Sequence, residues 1–352
     1  MKRQKRFLGF FCGIIFVILA VLIITKPEIC KNSAISGILL CGRVIIPSLF
    51  TFTVCVLFIM KCGITDLFCG LDFFTKKLFG LSAELTLLAF LSFIGGYPVG
   101  AKLLNDAVEK GRISAKDAGK MLNYCINAGP GFIVAAVGNA ILGSKVLGYF
   151  LLASHLTASL IMMLFLRPEG DYNSKSSPRD SFNFSDSFVA SVTDSSSATM
   201  EICGYVILFS VITAYAEYLT RHSAYLKYIN LGLEVTTAIP KAENIFVVSF
   251  LLGFSGLSVW CQIFSTAKSI KINFAEFALC RIIHGILSCG ITAILLKIFP
   301  VTVSCISNGS DFSGKAFYST PALSAALIIM GFFFLVSVFN KKHTGKLIND
   351  VV

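Results

Sequence analysis

Leu85-Thr-Leu-Leu-Ala-Phe-Leu-Ser-Phe-Ile-Gly-Gly-Tyr-Pro-Val-Gly-Ala-Lys-Leu-Leu104 decides how this chain is read. The stretch is long and apolar enough for a membrane helix, yet its centre is built against one. Pro98 has no backbone N–H and crowds the preceding turn, and Gly95, Gly96 and Gly100 lower helix propensity, so the chain is expected to unwind around Gly95–Pro98. Unwound backbone in hydrocarbon leaves polar groups unpaired. Such a state is tolerated only in packed protein or along a polar cavity, as in the binding sites of transporters. The plainer alternative is a bent helix packed on small residues, against which stands the cation Lys102 just beyond the break.

The composition places that segment in a membrane. Of 352 residues 55% are hydrophobic, 14% are charged and 33 are Phe, and the mean hydropathy of +0.80 excludes a soluble domain of this length. Runs of about the 20 residues needed to cross a bilayer lie near 7–24, 35–60, 120–142, 146–166, 192–219, 274–298 and 320–339, so seven crossings are expected. The net charge of +11 does not mark a nucleic-acid partner, because the basic residues sit in short groups beside apolar runs, where they orient the chain. Lys2, Arg3, Lys5 and Arg6 precede the first run, and Thr25-Lys26-Pro27-Glu28 offers no small-residue cleavage site. A retained signal anchor with its N-terminus in the cytoplasm is expected.

The 12 cysteines contain no Cys-x-x-Cys pair, and His155, His222, His284 and His343 are scattered without metal-ligand spacing. Disulfides, metals and cofactors are therefore not expected, and His284, deep in a span, reads as a packed core histidine. Walker, His-Glu-x-x-His, Gly-x-Ser-x-Gly and dinucleotide fingerprints are absent, which disfavours an ATP-driven pump, a metallopeptidase or another enzyme of those classes.

A polar, serine-rich stretch divides the chain, and its two sides echo each other. Cys41-Gly42-Arg43-Val44-Ile45 recurs as Cys203-Gly204-Tyr205-Val206-Ile207, and Gly96 and Val99 match Gly256 and Val259 at nearly the same offset. The expected organisation is a signal-anchor helix over 1–34, a first membrane repeat over 35–166, a polar loop over 167–190, a second repeat over 191–340 and a basic tail over 341–352. The fold class is an all-α polytopic membrane protein with two inverted-repeat halves, re-entrant hairpins and broken helices. Each half holds a long span, a broken hairpin returning on its own side, and two further spans. Residues 67–79 mix aromatic and charged side chains as in a helix lying at the membrane interface. The repeat puts the C-terminus outside, whereas Lys341, Lys342 and Lys346 argue for the cytoplasm, or for a full crossing by 246–264.

A second break, Asn127-Ala128-Gly129-Pro130-Gly131, interrupts the run over 120–142. Pro130 frees a carbonyl one turn earlier, and Asn127 can donate and accept within the gap. If both breaks meet, half-helix N-termini aim partial positive charge at an anionic group such as a carboxylate. Lys102 and Arg281 are the candidates to balance that charge, with snorkelling to the headgroups as the alternative for Lys102. The expected binding set is Gly95, Gly96, Tyr97, Pro98, Lys102, Asn127, Gly129, Gly256, Ser258, Gln262 and Arg281. Glu234, Thr236 and Thr237, before the helix-stopping Pro240, could bind a coupling cation or proton; alternatively Glu234 is a solvated loop residue and the threonines cap a short helix.

Cys41–Phe50, Gly95–Lys102 and Asn127–Pro130, with Leu233–Thr236 and Gly256–Gln262 in the second half, resemble the sporulation integral membrane proteins of the YlbJ type. That family carries the nucleoside-recognition, or Gate, domain and is similar in organisation to concentrative nucleoside transporters. The resemblance implies a solute carrier in the cell membrane or the outer forespore membrane that moves dipicolinic acid, a small aromatic dianion, during endospore formation. Thr237-Ala238-Ile239-Pro240 departs from the glycine-rich turn expected of relatives. A nucleoside or other small-metabolite carrier and a non-transporting sporulation scaffold are the competing readings. The implied partners are the lipid bilayer and the small anion, with a homo-oligomer left open.

Overall fold

The computed structural model describes residues 2–62, 64, 70–170, 172, 183–221, 223 and 230–300, and side chains among them at Phe10 and from Gly13 onward. All lie within one compact unit, Met1–Gly309. Among the described residues every regular element is helical, as expected. The span near 320–339, the basic tail, His222, His343, residues 67–69 and residues 171 and 173–182 of the polar loop lie outside the described residues.

Helix α1 (Lys2–Thr25) gives way at Lys26 to α2 (Pro27–Leu40), whose proline sits where no helical N–H is needed. A π-helical turn, Cys41–Ile45, joins α2 to α3 (Ile46–Lys61). Pro47 cannot donate in the first turn of α3, and the widened turn accommodates it, with Ile46 N–H bonding the Cys41 carbonyl instead of the usual partner. Pro27–Lys61 is one apolar rod of 35 residues. Helix α4 (Asp72–Phe79) ends at Gly80, φ 71°, and leaves Phe73 and Phe74 exposed beside Lys76 and Lys77, the composition of an interface helix. It meets α5 (Ala83–Gly95) at 65°.

Helices α5 and α6 (Tyr97–Glu109) form the expected hairpin. Gly96 turns it with φ 90°, a conformation that excludes a Cβ at little cost only for glycine. The arms fold back closely enough that a Cβ on Gly100 would lie 3.1 Å from that of Ser92. Helix α7 (Ala115–Cys125), capped by Ser114, ends at the second break, after which the chain resumes as a π-helix over Gly131–Ile141. Helices α8 (Lys145–Phe165) and α9 (Phe184–Thr220) follow, then the short α10 (Val235–Ala238), α11 (Ile245–Phe254), α12 (Gly256–Thr266) and α13 (Phe274–Ile298).

The expected crossings need one correction. Five described helices are long and apolar enough to cross, or six if the bent pair α4–α5 counts as one span. The run over 120–142 is not among them, because the break divides it into pieces too short to cross alone. The run over 245–266 is among them: α11 and α12 make one apolar segment of 22 residues interrupted at Ser255, long enough for the full crossing by 246–264 that the C-terminal lysines argue for. The glycine match with Gly96 survives at the backbone level, since Ser255 and Gly256 have φ 68° and 80°.

Helix α9 packs along α2 and α3, α13 packs on α8 and α11, and α12 lies against both α6 and α9. Small residues permit the close crossings: a Cβ on Gly253 would lie 2.6 Å from the Gly285 backbone, and one on Gly37 3.0 Å from Ile207. The two echoed segments meet each other. Cys41 and Ile45 share an apolar cluster with Ile202, Cys203 and Val206.

Candidate functional site

The two breaks come together. Gly96 at the hairpin tip faces Gly129, and a Cβ on Gly129 would stand 3.5 Å from the Gly96 Cα. Farther along α6, Gly100 lies directly on the Cys125 carbonyl. Tyr97 Oη donates to the Leu252 carbonyl at 2.8 Å, tying the tip to α11.

Behind the tip the polar groups of the second break are satisfied by protein. Pro130 leaves the Ile126 carbonyl without its helical donor, and Arg281 Nη1 donates to it at 2.8 Å, while Nη2 donates to the Asn123 carbonyl. Arg281 is fully buried, with its guanidinium 5.6 Å from the Phe277 ring centroid. It therefore closes the break, and it is not among the residues lining the cavity described below. Asn127 is likewise occupied: Nδ2 donates to the Tyr124 carbonyl at 2.8 Å and Oδ1 accepts from Ser159.

His155 and His284 complete this polar core, and only His284 was expected to be buried. The Ala128 N–H donates to His155 Nε2 at 3.0 Å, His284 Nε2 lies 3.0 Å from the His155 carbonyl, and the rings stack at 4.5 Å. Buried polar groups in hydrocarbon need partners, and these imidazoles provide them at the break. Neither histidine is recognisable from local sequence, because each partner is contributed by another helix.

The open space lies on the other face of α6. A cavity of about 240 Å³ is lined by Thr53 of α3, Pro98, Val99 and Lys102 of α6, Asp194, Ser197 and Glu201 of α9, Gln262, Ser265 and Thr266 of α12, and Lys268. Of the expected binding set it contains Pro98, Lys102 and Gln262. Gly95, Gly96, Tyr97 and Gly129 form the packed tip, and Ser258 reaches the cavity only through Gln262, whose Nε2 lies 3.4 Å from its hydroxyl. Gly256 packs against the backbone around Val235. The N-terminal amides of α12 are also taken: Leu257 and Ser258 donate to the Gly232 and Leu233 carbonyls at 2.9 Å. That end of a half-helix is thus closed to a ligand.

Lys102 is not a lone cation. Its Nζ lies 4.0 Å from Asp194 Oδ2, which Lys61 Nζ approaches at 2.8 Å. Across the cavity Ser265 Oγ donates to Glu201. Asp194 and Glu201 were missed, although the signal was present as two carboxylates seven residues apart at the polar start of the run over 192–219, a spacing that puts both on one helix face. The cavity is bipolar, with two lysines and two carboxylates on its wall, and it can hold a small polar or charged solute.

Glu234 is buried and caps α10: its carboxylate accepts from Thr236 Oγ1 at 2.5 Å and Thr237 N–H at 2.7 Å. The expected roles are exchanged, with Glu234 capping and the threonines donating. Burial pushes its carboxyl above the ordinary value, against those hydrogen bonds, which lower it.

No family model matches the chain, and no solved structure matches it. The chain is similar to the sporulation integral membrane protein YlbJ of Bacillus subtilis (strain 168), with 22% identity over 332 aligned residues covering 80% of this chain and 81% of the relative. That similarity supports a YlbJ-type assignment. With the apolar helices it makes this a multi-pass integral membrane protein.

Proposed function

We propose that this chain is a carrier for a small anionic aromatic metabolite, dipicolinate first among them, working by alternating access in a sporulation membrane. The observation that carries the reading is the cavity beside the α5–α6 tip, where Lys102 projects from a glycine-proline break between α9 and α12. Its volume of about 240 Å³ is below the roughly 300–1,000 Å³ of drug-sized sites and suits a compact metabolite. Breaks at Gly96, Asn127–Pro130 and Ser255–Gly256 are the kind of irregular backbone that transporters place beside a substrate.

The meeting of the echoed segments at Cys41 and Cys203 supports two related halves, as expected of an inverted repeat similar to that of nucleoside transporters. A contact between equivalent residues is what a pseudo-two-fold axis passing between them produces. Asp194 and Glu201 on the cavity wall favour a second reading, a neutral hydrogen-bonding solute such as a nucleoside, which would need no net positive charge.

Uptake of labelled dipicolinate into proteoliposomes tests the proposal, with a nucleoside as competitor. The carrier reading expects uptake that a nucleoside does not block and that Lys102→Ala abolishes at unchanged protein abundance. Uptake of nucleoside with Lys102→Ala unaffected favours the second reading. No flux of either solute under any imposed ion gradient overturns both and leaves the scaffold reading.

A further inference from the structure

Asp194 is a carboxylate within ion-pair reach of Lys102. It stands on α9, on the cavity wall, with its carboxylate 2.8 Å from Lys61 of α3 and 4.0 Å from Lys102 of α6. Three helices are thereby held through one carboxylate. The pairing is asymmetric: Lys61 is in direct contact, while Lys102 is at the limit of an ion pair, with about a quarter of its side chain accessible. Both cations and the carboxylate keep access to water.

We propose that Asp194 is an internal counter-ion for Lys102 that an entering anionic group replaces, so that ligand binding releases α6 from α9. This rests on the carrier reading above and adds the residue that sets its affinity and links occupancy to helix contact. The exchange costs little, because an ion pair of this exposure is weak and Asp194 retains Lys61 when it gives up Lys102. Glu201, two helical turns further along the same face, is held by Ser265 of α12 and not by a lysine, so it does not share this role.

The test uses the full-length protein in nanodiscs, with Asp194→Asn compared with wild type. Asn keeps the shape and removes the charge that competes for Lys102. Equilibrium binding of labelled dipicolinate is expected to be tighter in Asp194→Asn by up to about fivefold, the range open to an exposed pair. Hydrogen exchange across Tyr97–Glu109 without ligand is expected to be faster in Asp194→Asn, and Asp194→Glu is expected to restore both values. Dipicolinate binding that is equal or weaker in Asp194→Asn than in wild type overturns the proposal while leaving the carrier reading intact. If neither protein binds dipicolinate, the carrier reading fails, and chloride then serves as the probe. Salt that speeds exchange in the wild type to the rate of Asp194→Asn keeps Asp194 as an exchangeable counter-ion; identical exchange in both proteins at all salt concentrations overturns it.

Discussion

Arg281 on α13 donates at 2.8 Å to the carbonyl of Ile126, the acceptor that Pro130 leaves vacant one helical turn later in the chain. A proline that breaks a membrane helix creates this need wherever it occurs. Here the need is met by a cation 155 residues away, so the break is rigid rather than open.

Replacing Arg281 by Met should strip both the Ile126 and the Asn123 carbonyls of their donors. A buried acceptor left unpaired costs about 1–3 kcal/mol, so a clear fall in Tm of the detergent-solubilised protein is expected. Arg281→Lys, able to serve one carbonyl, should lie between. An unchanged Tm in Arg281→Met would show that the break supports itself.

Gly96→Ala should be destabilising for two reasons. The backbone stands at φ 90°, and the new Cβ would lie 2.8 Å from Leu49 Cδ2. Strain of this kind costs about 1–3 kcal/mol. Gly42→Ala and Gly204→Ala, where nothing lies within 4 Å of an added Cβ, are the controls and should be neutral in the same melting assay.

The loop after α8 is tied to α7 through Asp117. This buried carboxylate accepts from the N–H groups of Glu169 at 2.9 Å and Gly170 at 3.2 Å, and from Tyr172 Oη at 2.6 Å. Burial raises its pKa, but the backbone N–H of Glu169 and the other donors outweigh that and hold it below the ordinary 3.8. A depressed carboxylate stabilises the fold above its unfolded value and loses that contribution as pH falls through the folded one. Wild-type Tm should therefore drop as pH is lowered below about 4, and Asp117→Asn, already without this contribution, should show a smaller drop.

Glu234 carries the opposite sign. Its folded pKa is raised above the ordinary 4.5, so ionisation is disfavoured by the fold and the penalty grows as pH rises past that value. Glu234→Gln keeps an oxygen for the Thr237 N–H without the charge. It should gain on wild type between pH 4 and 8, whereas Glu234→Ala should lose about 1 kcal/mol as a removed helix cap. Parallel pH profiles of Tm for Gln and wild type would show that the carboxylate is not penalised.

Much of the fold is legible in the residues because its causes are local. Gly96 and Pro98 produce the hairpin tip, Pro130 ends α7 and widens the chain into a π-helix, and Ser82, Ser114 and Asn244 open their helices by accepting N-terminal N–H groups. The second hairpin is not legible in the same way, although Gly256 looks like Gly96 in sequence. Whether arms return or continue depends on the direction in which the turn delivers them, and Ser255 contributes a second positive φ that Gly95 does not.

A polytopic helical membrane protein, the places where its helices break, and Lys102 beside the first break are all readable from the residues in order. Those follow from hydropathy, missing donors and glycine backbone freedom, all properties of a few consecutive residues. Tertiary structure alone decided what each charge does. Arg281 became a clamp on backbone, Glu234 a cap, His155 and His284 partners at the break, and Asp194 the carboxylate facing Lys102. A charge in a membrane interior must find a partner, and which partner it finds is set by helices distant in sequence that packing brings to its side.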